Sequence, residues 1–352
     1  MQEVTLNVIK IFSLGAISFL LAFIIAPPFT AVLYKSKAWR KSARTKSIDG
    51  KEIPYFTKFH KEKETNIPRL GGVLVWGTVL AMSFLFFLLS HTGIWWLEKL
   101  NFLSRSQTWL PLFALVSAAL VGLADDMLQI AEKGKYIAGG LRLKYRLFLV
   151  FLIGLLGAWW FYYKLGFETI HIPGNGDILI GALYIPLFIL VMMATYSGGV
   201  IDGLDGLSGG AFASIFAAFT GIALFRGQID LASFCLVVTG AILAFLWFNI
   251  PPARFYMGET GIMGLCAALT VVAFLTDSVL VLPVIAFLLV IESGSVIVQL
   301  LSRKFLKKKV FLAAPIHHHF EAKGWPHYKV TMRFWVIGVV AAIIGVAIRL
   351  LG

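Results

Sequence analysis

Residues 8–31 read VIKIFSLGAISFLLAFIIAPPFTA, an apolar run interrupted by one charge, Lys10. About 20 mostly apolar residues are what a helix needs to cross roughly 30 Å of hydrocarbon. The run is longer than the apolar part of a secretory leader and no convincing cleavage site follows it. It therefore predicts a membrane helix, bent or ended by Pro27 and Pro28. Further apolar runs at 71–90, 107–124, 146–163, 178–195, 208–225, 231–249, 260–276, 279–302 and 332–351 bring the expected number of spans to ten. The weakest boundary is the short turn at Asp277 and Ser278 between the eighth and ninth.

Composition agrees. Of 352 residues 59% are hydrophobic and 14% charged, with a mean hydropathy of +0.85. A soluble domain carries about 25% charge, so a water-soluble globule is excluded. The expected fold class is all-α, a polytopic integral membrane protein forming a single transmembrane unit over 1–352. Cys235 and Cys266 lie inside apolar runs and make neither a disulfide framework nor a zinc site.

The net charge of +13 does not point to nucleic acid, because the 31 Lys and Arg are segregated along the chain. Alternate segments 34–70, 125–146, 196–207, 250–259 and 303–333 hold 25 of them, and the remaining segments six. By the positive-inside rule those five segments are cytoplasmic loops. With ten spans, both termini then lie on the extracytoplasmic side.

The acids are also asymmetric. Asp125, Asp126, Asp202, Asp205 and Glu259 fall at the expected cytoplasmic ends of spans. Acids at membrane depth usually face a polar cavity or a partner. Adjacent carboxylates in Gly122-Leu-Ala-Asp-Asp126 repel and favour a cation or a raised pKa, though on a helix they point about 100° apart. In Asp202-Gly-Leu-Asp205 the two acids share a face if the stretch is helical, and Gly203 lets backbone approach a ligand closely. Asn249 and Tyr256, in Trp247-Phe-Asn-Ile-Pro-Pro-Ala-Arg-Phe-Tyr256, suit hydrogen bonding to and stacking on a base, or simply an interfacial turn. His317, His318 and His319 cannot all ligate one tetrahedral metal, but imidazoles donate to phosphate oxygens or act as acids and bases near neutral pH. Together these residue types suit an anionic substrate, a hard cation such as magnesium, and a site at lipid level. No P-loop is present.

The motifs in their order resemble the polyprenyl-phosphate sugar-1-phosphate transferases, and within them the phospho-N-acetylmuramoyl-pentapeptide transferases. The resemblance runs from Pro68-Arg-Leu-Gly-Gly72 to Phe334-Trp335 and includes Phe245-Leu-Trp-Phe-Asn249 and Ile291-Glu-Ser-Gly-Ser-Val-Ile-Val-Gln299. Its most specific part is Pro315-Ile-His-His-His-Phe-Glu321 with Lys323-Gly-Trp-Pro326. It implies transfer of phospho-MurNAc-pentapeptide from UDP-MurNAc-pentapeptide to undecaprenyl phosphate, giving lipid I and UMP with Mg2+, at the cytoplasmic face of the bacterial inner membrane.

By the same resemblance Asp125, Asp126, Glu259 and His318 are catalytic, with Asp126 and Glu259 holding the metal. Lys144, Asp202, Gly203, Leu204, Asp205, Asn249, Tyr256, Gln299, His317 and His319 line the substrate. Glu259 stands where the family has Asp, and Val150 where it commonly has Gln. Family members are often dimeric, so a homodimer is a further expectation. A related N-acetylhexosamine-1-phosphate transferase is the alternative. A lipid transporter is weaker, because no internal repeat is visible.

Overall fold

A computed structural model describes residues 2–42, 65–133 and 140–352. In hydrocarbon, backbone polar groups have no water to bond, so a crossing segment satisfies its own as helix. The elements follow that rule. They are α1 (Gln2–Lys35), α2 (Gly72–Leu89), α3 (Trp95–Leu100), α4 (Trp109–Ile130), α5 (Leu143–Trp159), α6 (Tyr184–Ser197) and α7 (Leu207–Phe225). After them come α8 (Ile229–Asn249), α9 (Gly258–Leu275), α10 (Leu282–Ile285), α11 (Phe287–Leu301), α12 (Ile316–Ala322) and α13 (His327–Leu351). Among the described residues, nine helices are long and apolar enough to cross a membrane. The all-α membrane expectation is met.

Four expectations need correction. The run 279–302 is not one helix: α10 and α11 are separated at Ala286, whose backbone (φ −98°, ψ 32°) leaves the helical region. Pro27 and Pro28 do not end the first span, because α1 continues through them to Lys35. Residues 178 and 179 belong to no span but to strand β2 (Gly176–Leu179), which pairs antiparallel with β1 (Thr169–Ile172). Gly174 and Gly176, at φ +81° and +79°, make the tight turn between them. Finally, α4 does not stop before its acids but carries Asp125 and Asp126 within its last two turns. The basic stretch 43–64 lies outside the described residues, as does 134–139.

The centre of the bundle is α9. Of its most apolar window 94% is buried, against 28% for α1, α5 and α13, which face outward. Helix α9 packs along α4, α8 joins α1 to α7, and α13 closes on α7. Association in lipid depends on close packing rather than on apolar burial, so small residues gather where helices touch. A Cβ placed on Gly122 of α4 would lie 2.5 Å from the Glu259 carbonyl carbon and 2.7 Å from Thr260 Cα. No side chain fits there, and the two helices meet backbone to backbone beside the acids.

Candidate active site

The polar motifs meet at one end of the bundle, around the first turn of α9. Asp126 arrives from α4: its Oδ2 accepts from the Thr260 backbone N–H at 2.9 Å, and Arg69 Nε lies 3.5 Å from its Oδ1. Asp202 arrives from the 202–206 loop, accepting from the Gly258 N–H at 3.2 Å and the Ser208 hydroxyl at 2.7 Å. A helix N-terminus leaves N–H groups unpaired and carries partial positive charge, which suits both carboxylates. Burial pushes the Asp202 carboxyl above the usual carboxylate range, and the Ser208 hydroxyl and Arg69 oppose that rise.

Asp125 joins a different network. It accepts from the Leu141 N–H at 2.5 Å and from Gln129 Nε2 at 2.7 Å. Arg146, from the first turn of α5, lies 3.5 Å from Asp125 Oδ2 and 2.5 Å from Glu259 Oε1, so one guanidinium bridges the two acids. Neighbouring residues on a helix diverge by about 100°, which is why adjacent carboxylates find separate partners. The Asp125 and Asp126 side chains are 1% and 0% exposed, while that of Glu259 is 25% exposed. Glu259 is thus the open carboxylate of the three.

The segment after α8 is held by Asn249, whose Oδ1 accepts from the Gly206 N–H at 2.9 Å and whose Nδ2 donates to the Phe255 carbonyl at 2.8 Å. Tyr256 is tied through its backbone: its N–H donates to Pro68 O, and its carbonyl accepts from the Gly71 N–H, both at 2.8 Å. Asp205 is buried, with Oδ2 3.4 Å from the Ala253 N–H. Asn249→Ala would leave two buried backbone groups unpaired, costing roughly 1–3 kcal/mol. A lowered midpoint of thermal unfolding is the expected result, and an unchanged midpoint would refute this role for the amide.

The histidines start α12, which follows Pro315. His317 Nδ1 is 2.8 Å from Glu292 Oε2 on α11, both side chains fully buried, and His318 Nδ1 is 2.6 Å from Glu321 Oε2. The two rings are 4.1 Å apart. Both turn toward Gly203, where an added Cβ would strike His317 Nε2 and lie 3.3 Å from His318 Nε2. Leu204 beside it is buried. His319 faces away, accepting the Leu312 N–H at Nδ1. Burial and Lys323 hold its imidazole below the usual histidine range.

Two expected substrate residues are placed differently. Gln299 is buried with both ends of its amide on backbone: Oε1 accepts from the Val310 and Phe311 N–H groups, and Nε2 donates to Phe311 O, all at 3.0 Å. It secures the chain that leads to the histidines. Lys144 is exposed, its ammonium 5.0 Å from the Tyr145 ring centre. Two positions along a helix is about 200° of rotation, so Arg146 faces the acids and Lys144 does not.

The donor set suits a hard cation in kind. Among the described residues no three acids or histidines group tightly enough to hold a metal by themselves. Magnesium does not need such a cage, because one or two carboxylates plus substrate phosphates and water commonly suffice. An open Glu259 one residue from the Thr260 N–H that holds Asp126 fits that requirement.

Comparison with known proteins accords with this geometry. Residues 108–277 match the family model described as glycosyl transferase family 4. Over 337 residues the chain is 34% identical to a phospho-N-acetylmuramoyl-pentapeptide-transferase of Geobacillus thermodenitrificans, covering 95% of this chain and 96% of that one. The chain belongs to the phospho-N-acetylmuramoyl-pentapeptide-transferase family. The relatives of that name in Oceanobacillus iheyensis and Chloroflexus aurantiacus are 36% and 31% identical, covering 82% and 93% of this transferase and 85% and 88% of their own lengths. Its membrane-type helices and bacterial relatives are those of a bacterial membrane protein.

Several site groups of this transferase were not singled out from sequence. Arg69 and Arg146 neutralise the acids. Arg69 stands where the resembled family has Thr, which marked it as a departure but not as a partner of the acids, and only a place beside a span end could have flagged Arg146. Glu292 carried the clearer signal: a lone acid inside an apolar run is by default a functional residue with a partner.

Proposed function

We propose that this transferase moves phospho-MurNAc-pentapeptide from UDP-MurNAc-pentapeptide to undecaprenyl phosphate, releasing UMP and forming lipid I at the cytoplasmic face. One observation carries the reading. In a chain of this family, Asp126 and Asp202 meet at the first turn of α9, Asp125 joins Glu259 there through Arg146, and the histidines meet the Asp202–Asp205 loop at Gly203.

The chemistry asks little of a base. A phosphate monoester has a second pKa near 6, so the lipid phosphate is largely dianionic already. Its oxygen attacks the β-phosphorus of the donor, the bond from that phosphorus to the bridging oxygen breaks, and UMP leaves. Phosphoryl transfer is then mostly positioning and charge neutralisation. Asp202, Gly203, Leu204 and Asp205 with Tyr256 form the donor side, the Asn249 amide holds that loop in place through Gly206 and Phe255, and Arg69 and Arg146 set the local charge around Asp125 and Asp126. Glu259 is the residue that would hold Mg2+, with Asp126 fixed behind it on the Thr260 N–H, and the ion would supply neutralisation of the phosphate charge.

The donor is tested by incubating purified protein with undecaprenyl phosphate and either UDP-MurNAc-pentapeptide or a UDP-N-acetylhexosamine. UMP release is expected only with the muramoyl donor. Release only with the hexosamine would reassign the substrate. The orientation is tested at Lys309, in the basic run Lys307-Lys-Lys309 before the histidines, which can attract an anionic donor. In sealed right-side-out cells Lys309→Cys should resist an impermeant thiol reagent, and labelling from outside would invert the topology.

A further inference from the structure

Glu292 and His317 form a pair that the transfer chemistry above leaves without a role. Both side chains are fully buried, and they come from different elements, α11 and α12. An isolated carboxylate inside a protein is costly unless paired, so a lone acid at this depth needs a specific partner. The pairing uses one atom of each: Nδ1 faces Oε2 at 2.8 Å, while Glu292 Oε1 and His317 Nε2 are buried with no hydrogen-bond partner among the described residues. The unpartnered Nε2 is the atom that turns toward the Gly203 backbone. The neighbouring ring repeats the arrangement, with Glu321 on His318 Nδ1 and His318 Nε2 toward the same glycine. Two imidazoles, each gripped at Nδ1 by a carboxylate, thus present Nε2 to one point of the donor-side loop.

A carboxylate on Nδ1 takes that atom's proton as a hydrogen bond and so fixes both the tautomer and the plane of the ring. The group that the ring offers outward is then decided by a residue that touches no substrate. We propose that Glu292 is a positioning residue for the transfer: it holds His317 with Nδ1 protonated and Nε2 aimed over Gly203, as the hydrogen-bond acceptor for an N–H or hydroxyl group of a nucleotide-linked donor. The proposal rests on the transferase reading given above.

Two measurements on the full-length purified protein test it. The first needs no turnover. In 15N-histidine spectra, with His317→Asn to assign the signal, His317 should show a protonated Nδ1, and Glu292→Gln should lose that single-tautomer signature. A wild-type His317 with bare Nδ1 would overturn the proposal. The second separates positioning from folding. A loss of folded protein scales the maximal rate and leaves KM alone, whereas a misaimed Nε2 weakens donor binding. Glu292→Gln is expected to raise the donor KM about tenfold, the scale of one hydrogen bond, and to leave the KM for undecaprenyl phosphate unchanged. Glu292→Asp, which keeps the carboxylate, should recover part of the loss. A wild-type donor KM in folded Glu292→Gln would overturn the positioning role. If the wild-type protein released no UMP at all, the transferase reading would fall, and the tautomer measurement would decide the positioning by itself.

Discussion

Glu259→Gln is expected to lower magnesium-dependent UMP release by about 10²-fold or more, the effect of removing a group that stabilises charge in the reacting complex. The substitution keeps the shape of the side chain and removes its charge. Glu259 carries the one carboxylate among Asp125, Asp126 and Glu259 that is substantially exposed, at 25%. The other two are enclosed by Gln129, Leu141, Thr260 and the arginines. Hence the loss cannot be made good by Asp126 turning outward without breaking its bond to the α9 backbone. Glu259→Asp should retain partial activity, since the carboxylate remains and only its reach shortens, by roughly one carbon–carbon bond of about 1.5 Å. Removing the cation with a chelator should silence the wild type and have little left to remove in Glu259→Gln. Wild-type turnover with unchanged magnesium dependence in the Gln variant would show that Glu259 does no more than sit at a helix N-terminus, where any acid does well.

Gly122→Ala is expected to be nearly as damaging for a reason unrelated to charge. The added methyl would enter the backbone of Glu259 and Thr260 on α9, and backbone cannot swing aside as a side chain can. Helices α4 and α9 must separate, and overpacking of this kind typically costs 1–3 kcal/mol. The same displacement draws Asp126 away from the Thr260 N–H and Glu259 from Arg146, so activity falls together with stability. A misplacement of about 1 Å in a catalytic arrangement can cost about 10²-fold in rate. The measurement is a thermal midpoint and a turnover rate on the same preparation. A normal midpoint with normal turnover would mean that the two helices are not in the contact described.

The membrane helices were legible because hydrocarbon enforces one rule on every crossing segment, and long apolar runs report it directly. Irregular places were not legible for the same reason. In the run 279–302 only Pro283 hints at an interruption and nothing marks the break at Ala286, and a run of apolar residues cannot reveal that 178 and 179 pair as strand. Helix α4 outran its expected end because Asp125 and Asp126 find partners at depth, among them a backbone N–H 134 residues away. Of the site, the acids and histidines stood out by type and spacing. Their order of contact did not, since Arg146 rather than Lys144 faces the acids through helical phase alone. Glu292 was visible as an anomaly, but its partner, 25 residues on, emerges only when α11 and α12 fold together.

The central claim is that one end of this bundle passes the donor's β-phosphate, with its sugar, to a lipid phosphate. Purified protein in magnesium buffer is given undecaprenyl phosphate and UDP-MurNAc-pentapeptide labelled with 32P at the β-phosphate. The label is predicted to move into the organic-extractable lipid in amounts equal to the UMP released, and to stay in the intact donor when the lipid phosphate is omitted. Label recovered as water-soluble phosphosugar, or UMP released without the lipid acceptor, would show hydrolysis in place of transfer and contradict the account.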